Sequence, residues 1–395
     1  MRAEVSKTYL APTPNEIEQV TYMVERLYRH AQWELPVDWF SYESMVAAVH
    51  RLDMTSSPGI PYMYESPTNG KWLEWDGSTV SPLKMARLWH DVRNAEEDPD
   101  HMFRVFVKDE PHKNSKARIG RWRLIMACPL HIQILWSMCF RIQNDKENDI
   151  FPDTPSAQGL VYPGGGWRNF SFLLDVHRVN TCIDKTAWDW LAPGWVFDVD
   201  LEVRSRLNRR PCDRWQALST KLYEIAFHRA KLAMPDGRVY LQEIPGVMKT
   251  GLVNTIATNS RAQVELHCLA CIRRGIDPGL LYATGDDTAQ TEVDDDYIEE
   301  LQRAGCVVKN VTIGKEFMGF NLQRKITPMY LDKHIVTLAH KAPVIAEVLE
   351  SYLRMYCHSE WYSTWAAVAK ELGVSHLSQA SYQYWMDNPA ALGNI

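Results

Sequence analysis

Four aspartates stand where β-prone runs give way to turns: Asp184, Asp189, Asp286 and Asp287. Asp184 closes the run VNTCID, and Asp189 follows one short turn later in DKTAWDW. Asp286 and Asp287 lie in LYATGDDTAQTEVD, residues 281–294, after a glycine and between two short strand-like runs. Gly and Asp are good turn formers, so a solvated hairpin tip is one explanation of the pair. Paired hard oxygens are the other, because magnesium takes one or two carboxylates together with substrate phosphates. Asp189 is open in the same way, since it could N-cap a helix in DWLAPGW. A third stretch, Thr250-Gly-Leu-Val-Asn-Thr255-Ile-Ala-Thr-Asn259, puts Thr255 and Asn259 on one face if a helix begins near Leu252. If the Asp184 strand and the Asp286–Asp287 hairpin share a sheet, three carboxylates converge at its end. Two Mg²⁺ ions about 3.5–4 Å apart could there activate a hydroxyl and stabilise a leaving oxygen.

The elements that must position these residues follow from the pattern. LIMACPLHIQILWSMCFRIQ reads as a buried strand followed by a helix, and two helices are expected over about 195–208 and 212–230. KLAMPDGRVYLQ is a hairpin with Pro-Asp-Gly at its turn. A helix runs to about Arg273, and DDDYIEELQRAG is a helix with an acidic first turn stopped at Gly305, followed by the strand CVVKN. EFMGFNLQRK is a further hairpin, and the tail from Pro343 is helical and aromatic. Strands and helices in this order describe an antiparallel sheet backed by helices, an α+β fold. The triple glycine in VYPGGGWRNF lacks the Lys-Ser/Thr of a phosphate loop and reads as a flexible loop opening a helix at Trp167.

With 395 residues the chain has room for two or three subdomains around a cleft. Its net charge of −6 excludes a uniformly basic nucleic-acid binder but allows a local basic channel. Residues 104–123, RVFVKDEPHKNSKARIGRWR, supply one, with seven Lys or Arg against Asp109 and Glu110. No run approaches the roughly 18 apolar residues of a membrane span, and MRAEVSKTYLAPTPNE has no signal-like apolar stretch. Eight cysteines without framework spacing are expected to be reduced thiols in a cytosolic setting. Cys268 and Cys271 have zinc-like spacing but fall in an apolar helix, where burial is the expected reading. The tryptophan-rich WLEWDG, Trp361 and Trp365 are expected in the core.

D-x4-D, then TG-x3-T-x3-N, then GDD, in this order, resembles the palm signature of viral RNA-dependent RNA polymerases, and within them the sobemovirus and polerovirus-like group. KDEPHKNSKARIGRWRLI is similar to their basic fingers motif, and TSSPGIPY, residues 55–62, to their Ser-Pro-Gly loop beside the template entrance. The resemblance covers roughly residues 50–325 and implies a right hand of fingers, palm and thumb. The expected division is fingers over 1–175, palm over 176–194, a fingers insertion over 195–230, palm over 231–326 and a short helical thumb over 327–395.

The resemblance implies roles residue by residue. Asp184, Asp286 and Asp287 would ligate two Mg²⁺ ions, or Mn²⁺, with Asp287 the weaker ligand. Asp189 and Asn259 would recognise the ribose 2′-hydroxyl, and Thr255 would hold Asp189. Thr250 and Gly251 open the same substrate-binding motif, with Thr where the family commonly has Ser. Lys108, Lys116, Arg121 and Arg123 would line the nucleotide channel, with Arg123 best suited to the triphosphate. His112 replaces an arginine common outside this group, so the channel is less positive or titrates. Ser56, Ser57, Pro58 and Gly59 would lie against the template. Lys309 is the candidate general acid, with Lys315 its rival, and EFMGF resembles the primer grip. His340 and His358 have no assignable role.

The implied activity is RNA-templated RNA synthesis in the replication of a positive-strand RNA virus. Template and product RNA and NTPs would be its partners, with other viral replication proteins or a protein primer. The setting would be the host cytoplasm, in membrane-associated complexes. A reverse transcriptase and an inactive RNA-binding scaffold are the alternatives. The Asp189–Asn259 pair disfavours the first, and the full set of acids disfavours the second.

Overall fold

Eleven strands form among the described residues, 9–392 of the computed structural model. Residues 1–8, read above for a signal, and 393–395 lie outside them. β1 (Met102–Val107), β2 (Leu124–Ala127), β4 (Lys231–Ala233) and β5 (Val239–Leu241) make one sheet in the order β2-β1-β4-β5. β3 (Val179–Lys185), β6 (Leu281–Thr284), β7 (Asp287–Thr291) and β8 (Val308–Ile313) make a second, fully antiparallel sheet ordered β6-β7-β3-β8. β9 (Glu316–Phe317), β10 (Phe320–Asn321) and β11 (Thr327–Pro328) complete a small third sheet. Among the described residues, no helix is long and apolar enough to cross a membrane.

The alternation that predicted the strands positions them. In β1, Phe103 and Val105 are buried and their neighbours are more exposed. The Pro-Asp-Gly hairpin forms with Gly237 at φ +84°, but β4 lies parallel to β1. That hairpin therefore extends the sheet of the basic segment, although sequence order had grouped it with the carboxylates. A three-residue strand cannot announce which edge it will join, because partner choice is a long-range contact.

The helix expected from Leu252 begins at Thr255 and runs to Arg274, ending at the left-handed Gly275. Every residue from Ala257 to Cys271 is buried, Cys268 and Cys271 included. Such a helix sits inside the protein rather than on it. It packs on β6 and against helices Pro14–Leu27, Gly194–Arg206 and Asp295–Arg303. A charged bracket fixes it. Asp200 accepts hydrogen bonds from Arg204 Nε (3.1 Å), Tyr223 (2.6 Å) and Thr258 (2.8 Å). Arg261 pairs with both Asp200 and Glu147, and all four charged side chains are fully buried.

The triple glycine has a tighter reason than flexibility. Gly164 and Gly165 donate to the carbonyls of Trp385 and Met386, and a Cβ on Gly165 would lie 2.9 Å from Asp387 O. The helical tail docks there, and Tyr352, Tyr356, Trp365 and Tyr382 join residues 157–182 in a second apolar core. His358 finds its place in this contact, 2.9 Å from Asp387.

His267 ties the long helix to its neighbours. Its Nε2–H donates to Gly279 O (2.9 Å), so Nδ1 accepts from the Tyr297 hydroxyl (2.7 Å). Burial lowers both His267 and His101 to about 4. A histidine that folds neutral contributes stability present above about pH 6.5 and lost as pH falls toward 4, at most about 3 kcal/mol each. Thermal unfolding scanned across that window should show a falling midpoint, and His267→Gln, which keeps a donor for Gly279, should flatten the fall.

Candidate active site

One end of the second sheet gathers the acids. Asp184 is the last residue but one of β3, Asp286 sits at the β6–β7 turn and Asp287 opens β7. Because Ile183 pairs with Thr288, the register carries Asp184 to the strand end beside Asp287. All three carboxylates reach solvent. Three hard oxygen donors thus occupy adjoining positions on two strands. Among the described residues no three such groups are gathered into a ready-made cage. Magnesium does not need one, since substrate phosphates complete its shell. Asp287 has solvent on one side and protein on the others. Burial, and then the charge of Asp286, push its carboxyl up to about 6.

β8 carries a bulge at this end. Asp184 pairs with Asn310 and Lys185 with Val308, which leaves Lys309 as the extra residue. Bulges re-aim side chains, and Lys309 turns onto Asp184 as an ion pair. Hydrogen bonding to Asp184 raises the Lys309 pKa. Its rival Lys315 lies elsewhere, beyond the other end of β8, paired with Asp175 (2.6 Å) and donating to Ser171.

Asp189 lies inside the short helix Trp188–Leu191, whose N-cap is Ala187, so it caps nothing. Asn259 Nδ2 donates to Asp189 Oδ1 (3.2 Å), and Trp188 Nε1 orients Asn259 by donating to its Oδ1 (2.8 Å). Burial, and then Asp286, raise the Asp189 pKa, with Asn259 and Arg123 opposing. Thr255 does not join the Asp189–Asn259 pair. Its hydroxyl donates to Leu252 O (2.7 Å) and Lys249 O (3.2 Å), because it is the first residue of the helix and faces the preceding loop.

That loop is fastened to β2. The Thr250 hydroxyl accepts from Met126 N–H (3.3 Å), and Gly251 bridges Ala127. A Cβ on Gly251 would lie 2.3 Å from Met126 O. In the basic segment, Glu110 pairs with Lys108 (3.0 Å) and Arg123 (2.8 Å). His112 Nε2 accepts the Arg123 backbone N–H (3.2 Å), and Lys116 and Arg121 are exposed. The Ser56–Gly59 loop is held away from the acids. Ser56 bonds Asp53, Ser57 accepts from Arg104, Pro58 O accepts from Leu130, and Gly59 abuts Cys128 O.

Two residues of the site were not singled out from sequence. Ser260 Oγ accepts the Gly285 N–H (2.9 Å), and Lys185 lies beneath the acid turn. Lys185 had a legible signal, a lysine at an inward position of a strand. His340 also acquires a contact, 3.3 Å from Asp109 of the basic segment.

The family profile described as Viral RNA-dependent RNA polymerase matches residues 15–299. Protein P1-P2 of Potato leafroll virus (strain Potato/Netherlands/Wageningen/1989) is 30% identical over 316 residues, covering 71% of this chain and 28% of that protein. The RNA-directed RNA polymerase of Mushroom bacilliform virus is 30% identical over 192 residues, 47% of this chain and 46% of its own. A solved structure, Sicinivirus 3Dpol RNA dependent RNA polymerase, shares the fold with a TM-score of 0.75, covering 97% of this chain and 87% of that one at 17% identity. The chain belongs to the viral RNA-dependent RNA polymerase family, and its fold is the polymerase right hand.

The fastening of the loop to β2 is testable. Gly251→Ala must push the loop off the β2 backbone, and overpacking of this kind costs about 1–3 kcal/mol. Denaturant unfolding should show that loss.

Proposed function

We propose that this chain copies RNA into RNA, joining NTPs to a growing 3′-hydroxyl. Asp184 and Asp286, with Asp287 as the weaker ligand, would hold two Mg²⁺ or Mn²⁺ ions. Such ions activate the attacking hydroxyl and steady the leaving pyrophosphate. The observation that carries the reading is the convergence of these three acids at one sheet end beside the Asp189–Asn259 pair.

The chain's own groups would do the rest. Asp189 and Asn259 offer an acceptor and a donor to the ribose 2′-hydroxyl. Lys108, Lys116, Arg121 and Arg123 line the approach to the acids, with the Arg123 fork suited to a triphosphate. Thr250 and Gly251 join the substrate loop to the basic sheet, and Thr255 stiffens that loop. Lys309, the lysine at the acid end of β8, is the general acid of this reading. The Ser56–Gly59 loop would border the template.

Fingers would comprise 1–175 and 195–230 together with the 231–241 hairpin. The palm would take 176–194 and 242–326, and the thumb 327–395. RNA, NTPs and other viral replication proteins or a protein primer are the proposed partners, in cytoplasmic membrane-associated complexes.

Purified protein with Mg²⁺ or Mn²⁺ should incorporate labelled NTP on a short RNA template. Asp286→Ala should lower that by more than about 10²-fold, the scale of losing one preorganised charge-stabilising group. The reverse-transcriptase reading is separated by substrate. Wild type should favour NTP over dNTP, and Asn259→Ala should cut that preference by at least about tenfold, roughly one hydrogen bond's worth. Incorporation of dNTP in preference to NTP would overturn the assignment. RNA binding indifferent to Mg²⁺ and to Asp286→Ala, without synthesis, would favour the scaffold.

A further inference from the structure

Lys185 follows Asp184 on β3, but points the other way. Asp184 faces solvent, while Lys185 is only 7% exposed. Its ammonium donates to the main-chain carbonyl of Asp286 (3.2 Å) and to the Thr288 hydroxyl (2.9 Å). Thr288 in turn donates to Ile183 O (3.3 Å), so β3 and the acid turn are cross-braced immediately behind the carboxylates.

Burying an ammonium with two neutral acceptors is unfavourable by itself. Burial pulls the Lys185 pKa down, and Cys306, then Asp286, Asp287 and Asp184, pull against it. Three formal negative charges at the sheet end face two lysines. Lys309 lies in solvent, with 61% of its side chain exposed, and is free to swing away. Lys185 is enclosed and cannot leave.

We propose that Lys185 is a positioning residue of the site, a fixed countercharge that holds the Asp286–Asp287 turn beside Asp184 and weakens the site's grip on divalent cations. The proposal rests on the metal-site part of the function proposed above. It assigns the two lysines different duties. Lys309 balances Asp184 only until a cation arrives, whereas Lys185 opposes that cation permanently. A site that must release pyrophosphate with its metal is served by affinity held below the maximum the three acids could give.

The test uses the full chain without RNA or NTP. Mn²⁺ binding is titrated by calorimetry in wild type and in Lys185→Gln, which keeps a donor and loses the charge. Lys185→Gln should bind Mn²⁺ about threefold to tenfold more tightly, as Coulomb's law gives for removing a nearby like charge in a wet cleft. Its unfolding midpoint should be lower than wild type without metal, and should rise more when Mn²⁺ is added. Lys185→Met, lacking donor and charge, should show the same gain in cation stabilisation from a still lower metal-free midpoint. Unchanged or weaker Mn²⁺ binding in Lys185→Gln overturns the proposal. So does a variant that stays unfolded at every Mn²⁺ concentration, which would leave Lys185 a packing role only. Wild type that binds Mn²⁺ but never incorporates NTP overturns the polymerase reading and leaves this one standing. Wild type that binds no Mn²⁺ overturns this proposal and leaves the polymerase reading to the incorporation assay.

Discussion

The buried bracket around Asp200 is the contact on which the rest of the molecule depends. It joins four helices, Leu130–Asp149, Gly194–Arg206, Asp213–Tyr223 and Thr255–Arg274, through Glu147, Asp200, Arg204, Tyr223, Thr258 and Arg261. Burial alone would raise Asp200, yet Arg204 and Arg261 bring it down to about 2. Glu265, also fully buried, is raised well above the carboxylate range by burial and then by Asp200. Burial pushes the Glu147 carboxyl up as well, with Arg261 and Arg204 opposing. A bracket of this kind contributes little net stability, but removing one member strands the others without water. Its value is that it permits one arrangement of the long helix and penalises every other.

That arrangement matters because three successive residues of the helix serve three different elements. Side chains step about 100° per residue around a helix. Asn259 reaches Asp189, Ser260 reaches the backbone of the acid turn at Gly285, and Arg261 reaches the bracket. A small rotation of the helix would disturb all three together. The ribose-recognition pair of the proposed site and its acid turn are thus registered against one another by a charge cluster that touches neither.

Sequence made the acids legible because their signals are local. Glycine before two aspartates, a strand ending in Asp184, and polar residues four apart on a helix can each be read within a dozen positions. What escaped depended on distant partners. Thr255 was expected to hold Asp189, but it is the first residue of the helix and its hydroxyl turns back to Leu252 O and Lys249 O. The 231–241 hairpin was correct as a hairpin and wrong in its sheet, because its edge is chosen by β1. The triple glycine looked flexible because the chain that closes on it comes more than two hundred residues later. Sequence put Lys309 ahead of Lys315 but could place neither: the β8 bulge turns one onto Asp184, and pairing draws the other to Asp175.

On the proposed reading, the same accounting of charge explains how an acidic chain can serve an anionic substrate. The basic segment is not a bare cationic surface, because Glu110 engages both Lys108 and Arg123. Lys108 and then Arg123 oppose burial and hold Glu110 below its ordinary range. Arg123 is more than half exposed, so that pairing is worth little in free energy and costs little to exchange. A triphosphate offers more charge and a better match to the guanidinium fork than one carboxylate does. On the proposed reading, substrate arrival is then an exchange of partners at Arg123, as cation arrival is an exchange of partners at Asp184. Both sides of the cleft rest with their charges provisionally paired, and both pairings lie in solvent where they can be undone. On the same reading Lys185 is a charge that stays in place, enclosed behind the acid turn.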